Sequence, residues 1–263
     1  MVAHEERRLC ARLGTRVAPR EAANQHLRFS SPPPPRRSRT MHDFVAHVLR
    51  QYYAQTDWNP YNSYLYLSSS SHAVLIHQLS KQRSQAPFAK AAKGSAIQTV
   101  LFHPQQPHFF VATQRTIRLY NLATQTLLKT LQTGLRWISS MHLHGPSGNH
   151  LLVGSYDRRV AWFDLELSTR PYKILRYHER AVRTVQFHSR YPLFASVSDD
   201  GNAHVLHATV YNDLISNPLI VPLKVLRGHT VKEGLGILDA VWHPTMPWLI
   251  TAGADGQARM WTP

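Results

Sequence analysis

The chain has 263 residues, 43% of them hydrophobic, which is enough for one large domain or two small ones with a sizeable core. A single cysteine, Cys10, excludes an internal disulfide framework and fits a reducing intracellular compartment, and no apolar run approaches the roughly 20 residues that span a bilayer. Thirty Lys and Arg against 15 Asp and Glu leave a formal charge of +15, which favours polyanionic surroundings such as nucleic acid without indicating a site.

Residues 1 to 40 hold nine Arg against three Glu and end in Ser30-Ser31-Pro32-Pro33-Pro34-Pro35-Arg36-Arg37-Ser38-Arg39. Such a segment buries too little apolar surface to offset chain entropy, so it reads as a disordered tail. Part of the positive charge therefore lies outside any fold. A plain solvated tail, a nuclear localisation signal around Arg36 to Arg39 and an organelle transit peptide all fit this composition. A short helix or strand is expected at Phe44 to Tyr53.

From about Asp57 the chain repeats. Trp58-Asn59-Pro60, Phe102-His103-Pro104, Leu143-His144-Gly145-Pro146, Phe187-His188-Ser189 and Trp242-His243-Pro244 open successive units, and their second residues lie 44, 41, 44 and 55 apart. That interval suits a four-stranded unit. A second marker fixes the register: Ser71, Gln114, Asp157, Asp200 and Asp255 each precede by six the residues His77, Tyr120, Phe163, Leu206 and Trp261. Runs such as Val160-Ala161-Trp162-Phe163 suit strands covered on both faces by neighbouring sheets. The pattern predicts an all-β propeller with about five blades.

The last unit, Leu238 to Trp261, shows the plan most plainly. Trp248 to Ala252 is rich in strand formers, Asp255-Gly256 supplies the positive φ angles of a two-residue hairpin turn, and Gln257 to Trp261 returns. His243-Pro244 and Met246-Pro247 mark the loop before it, because proline cannot donate to a ladder.

The units resemble WD repeats: Phe163-Asp164 and Trp261-Thr262 loosely match the Trp-Asp pair of that family, and Gly228-His229 matches its Gly-His pair. His178 stands in the equivalent place one unit earlier. The resemblance implies that His178, Asp200, His229 and Asp255 form buried hydrogen-bond networks within blades, with Trp261 a further marker, and not acid/base pairs. Longer ordered matches resemble the C-terminal propeller of the block-of-proliferation family: Gly154-Ser155-Tyr156-Asp157, Trp162 to Leu165, Leu167-Ser168-Thr169-Arg170-Pro171-Tyr172, Arg190 to Ser196, Val210 to Leu214, Ala252 to Gly256 and the connector Ser80 to Phe88. The match runs from about Val48 to Pro263 and divides the chain into the tail, 1–40, and a partial WD-repeat β-propeller, 41–263. It implies a non-enzymatic scaffold in large-subunit rRNA processing, located in the nucleus, nucleolus and nucleoplasm. The implied partners are pescadillo, another WD-repeat assembly factor, the pre-ribosomal particle and its rRNA. A seven-bladed family propeller and a long N-terminal region bearing the pescadillo contacts have no counterpart here, so a fragment or truncated product of low stability is expected. A generic WD-repeat adaptor without a ribosomal role is the alternative.

No catalytic constellation, cofactor motif, paired-cysteine metal site or small-molecule pocket signature stands out. His142 and His144 share a strand face by period two but have no third ligand by spacing. Lys81, Arg83, Lys90 and Lys93 in the loop after the first unit, Arg158-Arg159 at a hairpin turn, and Arg176, Arg180 and Arg183 at a strand connection are either solvated loop charge or contacts for RNA phosphates. Arg158 and Arg159 rank first, because a turn fixes them. The insertion Tyr211 to Gly236, with Asn217-Pro218-Leu219-Ile220-Val221-Pro222-Leu223, either marks a partner surface or adds an outer strand to its own blade.

Overall fold

The computed structural model describes residues 56–58, 65–69, 74–78, 83–85, 96–124, 126–209 and 219–263. The tail, the element expected at Phe44 to Tyr53, Ser71, Lys81, Lys90, Lys93 and residues 211–218 lie outside the described residues, as does the side chain of Arg83.

Regular structure among the described residues is entirely β, in five antiparallel sheets whose strands neighbour one another in chain order. The first holds β1 (Thr56–Trp58), β2 (Leu65–Ser69), β3 (Val74–Gln78) and β4 (Arg83–Gln85), and the second β5 (Ile97–Phe102), β6 (His108–Thr113), β7 (Thr116–Asn121) and β8 (Leu127–Gln132). The third holds β9 (Ile138–Leu143), β10 (His150–Ser155), β11 (Val160–Asp164) and β12 (Lys173–Leu175), and the fourth β13 (Val182–Phe187), β14 (Leu193–Ser198), β15 (Asn202–Thr209) and β16 (Leu219–Arg227). The fifth has three strands, β17 (Ile237–Trp242), β18 (Leu249–Gly253) and β19 (Ala258–Trp261). These are the blades of a WD-type propeller, and the insertion supplies β16, the outer strand of its own sheet, with Val221, Leu223 and Val225 exposed on it.

The repeat markers have structural causes. His77, Tyr120, Phe163, Leu206 and Trp261 all lie on third strands, opposite Tyr66, Phe109, Leu151, Phe194 and Leu249. The histidine that opens a unit closes the turn after the first strand: His103 Nδ1 accepts the amides of Gln105 and Gln106 at 3.0 Å each, and His188 and His243 repeat this with Arg190/Tyr191 and Thr245/Met246. A ring nitrogen that accepts two amides carries no proton, so these imidazoles act as neutral turn caps. At the opposite end, Asp200-Gly201 and Asp255-Gly256 lie in the hairpins, but only the glycines take positive φ, 81° and 79°, and four residues separate β18 from β19, so the turn is longer than the two-residue one expected.

Apolar faces meet between consecutive sheets. Phe110, Ile117 and Leu131 pack on Met141, Leu151 and Phe163 between sheets two and three. Trp162 fills the next interface, edge-on to Phe187 and Phe194 at 5.2 and 5.8 Å, with its indole N–H on His150 Nδ1 at 3.1 Å. Between sheets four and five, Ala195, Val197 and Ala203 face Ile237, Trp242 and Leu249. Sheet five then ends on an edge: Met260 is 59% exposed, whereas Val205 at the matching position of sheet four packs into this core.

The loops joining first to second and third to fourth strands share one end of each sheet. Those joining second to third strands, and the connections between sheets, share the other, here called the upper end. A β-bulge recurs there on the first strand of sheets two to five, beside Gln98, Ser139, Arg183 and Leu238. A bulge re-aims the extra side chain. This one places four equivalent residues at the upper end of their sheets.

Candidate interaction surface

Two buried polar sets at the upper end resemble catalytic triads in composition. In sheet four, His178 Nδ1 meets Asp200 Oδ2 at 3.0 Å and Nε2 meets Ser196 Oγ at 2.8 Å. In sheet five, His229 Nδ1 meets both Asp255 oxygens at 3.1 Å and Nε2 meets Thr251 Oγ1 at 2.8 Å, which also accepts from Trp261 Nε1 at 2.9 Å. A carboxylate only accepts, so each Nδ1 carries the proton and each Nε2 accepts from the hydroxyl. The amides of Glu179 and Asn202 complete Asp200, and those of Thr230 and Gln257 complete Asp255. Desolvation alone would raise the Asp255 pKa, but the His229 ring and these amides outweigh it and hold the group at about 2; Asp200 is lowered by the same balance. The hydroxyls are inaccessible, with Ser196 2% and Thr251 0% exposed, so no substrate reaches a nucleophile. These sets tie the connection between sheets to the hairpin.

His142 and His144 are set into the interface of sheets three and four, both beside the Phe187 ring. Burial first, then a neighbouring imidazole, lowers each to about 4. Their Nδ1 atoms are used by the Phe187 amide and the Ser147 hydroxyl at 3.2 and 2.8 Å. No group of three or more His, Cys, Asp and Glu able to hold a metal occurs among the described residues.

The cations divide by position. Arg158, Arg176 and Arg180 are exposed at the upper end, and Arg159 stands 3.8 Å from Asp157 there. Arg183 differs from expectation. It is 8% exposed, its guanidinium grips Asp199 at 2.7 to 2.9 Å, and it lies 5.2 Å from the Tyr156 ring centroid. The bulge turns it inward, so it is an internal ion pair and not an outward-facing cation.

Sequence reasoning passed over Arg115, Arg136, Lys232 and Trp137, which are also exposed at this end. Among the described residues of this end, the exposed cations Arg115, Arg136, Arg158, Arg176, Arg180, Arg227 and Lys232 outnumber the exposed carboxylates Glu179, Glu233 and Asp239. The lower end carries fewer exposed charges among the described residues, Arg170, Lys173 and Arg190 with Glu166. Trp137 is the centre of the upper group. Its carbonyl accepts from the Tyr156 amide at 2.9 Å and from Ser155 Oγ at 2.7 Å, and the next amide, Ile138, donates to Gln114 O at 3.1 Å. The Arg136 amide donates to Asp157 Oδ2 at 3.1 Å, and Thr133 Oγ1 donates to the Arg115 carbonyl. The Trp137 segment is thus clamped between the hairpin of Gln114-Arg115 and that of Tyr156 to Arg159. Its indole N–H donates to the bulge residue Gln98 at 3.0 Å, and its ring stands edge-on to Tyr156. Only the repeat spacing that makes Gln98 equivalent to Arg183 hinted at this arrangement.

The WD domain, G-beta repeat model matches residues 169–206 and 220–262, each match joining the outer strand of one sheet, β12 or β16, to the strands β13 to β15 or β17 to β19 of the next. Ribosome biogenesis protein ERB1 of Malassezia globosa is 61% identical over 199 residues, covering 74% of this chain and 23% of that protein. Ribosome biogenesis protein erb1 of Schizosaccharomyces pombe is 55% identical over 208 residues, 78% of this chain and 28% of its own length, and bop1 of Danio rerio is 55% identical over 212, 79% and 27%. The chain therefore spans about a quarter of the length of the relatives it matches. Identity this high over about three quarters of the chain means that it belongs to the block-of-proliferation family, the ERB1 and Bop1 proteins.

Proposed function

We propose that the chain acts as a non-enzymatic scaffold in large ribosomal subunit biogenesis and rRNA processing, presenting propeller surfaces to assembly-factor proteins and pre-rRNA. The observation that carries this reading is the 55 to 61% identity to proteins named for ribosome biogenesis. The upper end supports it physically: its cations outnumber its carboxylates, and its two His-Asp-hydroxyl sets are spent on holding turns. Pescadillo-type and WD-repeat assembly factors are the protein partners proposed, and the nucleolus and nucleoplasm the location.

The test is gradient sedimentation of the tagged chain from cells, probed alongside large-subunit precursor rRNA. Co-migration with precursor particles is expected. A chain confined to the free pool at the top of the gradient, with its fold intact, would remove the assignment.

A further inference from the structure

Trp137 is an expensive residue to leave in water. It is 44% exposed, although a buried indole would contribute far more to stability. It is nevertheless held firmly by the Gln98 amide, the Tyr156 ring and three backbone-directed bonds on either side. Beside it stands a second oddity. Arg158 occupies the position that Gly201 and Gly256 fill in the sister hairpins and adopts the same left-handed backbone, φ 71°. A large side chain in a conformation that favours glycine is strain kept at a surface that uses it. Arg115 and Arg136 complete the surroundings, each fixed through backbone bonds to the clamped segment.

We propose that Trp137 is a stacking platform for an unpaired base of single-stranded RNA, with the flanking phosphates on Arg115, Arg136 and Arg158. A rigid exposed ring among arginines matches the two demands of such a ligand: a π-face for the base and cations for the backbone. A duplex offers phosphates but no free base face, so the site discriminates by strandedness. An acidic protein segment would use the arginines and leave the indole idle. The inference rests on the reading that the chain meets pre-rRNA and names how one surface does so.

The test uses the full chain and a fluorescein-labelled 12-nucleotide single-stranded RNA, with its duplex and a poly-glutamate peptide as comparators, read by anisotropy across a salt series. Trp137→Ala is expected to weaken single-strand binding on the order of tenfold with little change in salt slope. Trp137→Phe should keep most of the affinity. Arg158→Gln should lower the slope of log affinity against log salt by about one. Near-UV circular dichroism confirms that each variant is folded, and Trp137→Leu, which keeps the bulk without the aromatic face and should show the same loss, serves if the alanine variant is not. Equal affinity for duplex and single strand, tighter binding of poly-glutamate, or Trp137→Ala within twofold of the parent overturns the proposal. Stacking that survives while the chain stays out of precursor particles removes only the ribosomal assignment. Co-migration with unchanged oligonucleotide affinity in Trp137→Ala removes only the platform.

Discussion

Arg158→Gly isolates the conformational strain at the upper end. Arg158 sits at φ 71° in the turn after β10, where its amide donates to Ser155 O at 3.3 Å, a bond that glycine keeps. A left-handed backbone costs an L-residue about 1–2 kcal/mol relative to glycine. Glycine returns about 0.5–1 kcal/mol of this through the greater freedom of the unfolded chain. The side chain is exposed, so little packing is lost. The net expectation is a gain of about 0.5–1 kcal/mol, or about 2 °C in Tm for a chain of this size. Gly256→Ala is the mirror control: at φ 79° an added Cβ meets nothing within 4 Å, so the loss is conformational alone and similar in size. Gly201→Ala should cost more, because its Cβ would stand 2.8 Å from the His229 carbonyl oxygen. Melts of the three variants at one scan rate test the order. A lower Tm for Arg158→Gly than for the parent would refute the claim that this turn stores strain.

Three further outcomes follow from the polar interior. Burial holds His142, His144 and His204 at about 4 in the folded state against 6.5 in the free ring. The unfolded chain therefore takes up protons between pH 6.5 and 4 that the folded one refuses, so stability is complete above about 6.5 and falls through that window. The urea midpoint should drop between pH 7.5 and 4.5, and a flat profile would contradict it. Arg183→Met leaves Asp199 buried without its cation and should cost about 3–5 kcal/mol, most of it recovered by adding Asp199→Leu; an equal loss in the double variant counts against the pair being internal. Thr251→Val strips a partner from both His229 and Trp261, whereas Ser196→Ala strips one from His178 alone. The first should cost about 2–3 kcal/mol and the second about 1 by urea denaturation, and equal losses would undo the argument.

The features legible in the sequence are those whose causes are local. A histidine that caps the turn two and three residues ahead, and an Asp-Gly pair that makes a hairpin, leave marks at fixed spacing, so His103, His188 and His243, and Asp200 and Asp255, reveal the repeat. The surface group was hidden because its members come from different sheets: Gln98 and Trp137 lie 39 residues apart, and Arg183 reaches Tyr156 from the next blade. The inward position of Arg183 is hidden for a related reason. A loop-like charge pattern, Arg176-Tyr177-His178-Glu179-Arg180, runs straight into β13, and nothing in its spacing announces the bulge that turns the seventh residue after Arg176 inward.

That bulge also explains why the ligand surface should lie over sheets two and three. Gln98, Ser139, Arg183 and Leu238 occupy one position, and so do the residues just before the hairpin marker, Thr113, Tyr156, Asp199 and Ala254. Where the pair is Arg183 with Asp199, charge cancels charge, and the Gly236 amide adds a long contact to the same carboxylate at 3.4 Å. The nearby cations are tethered: Arg180 donates to Gly234 O and Lys232 to Asp255 O, both at 3.3 Å, which braces the connection into sheet five. Over sheets two and three the same positions hold neutral Gln98 and Tyr156, which support the Trp137 ring and neutralise nothing. Arg115, Arg136 and Arg158 therefore keep their charge for solvent or a ligand. One backbone device, repeated with different side chains, closes half of the upper end and leaves the other half able to bind.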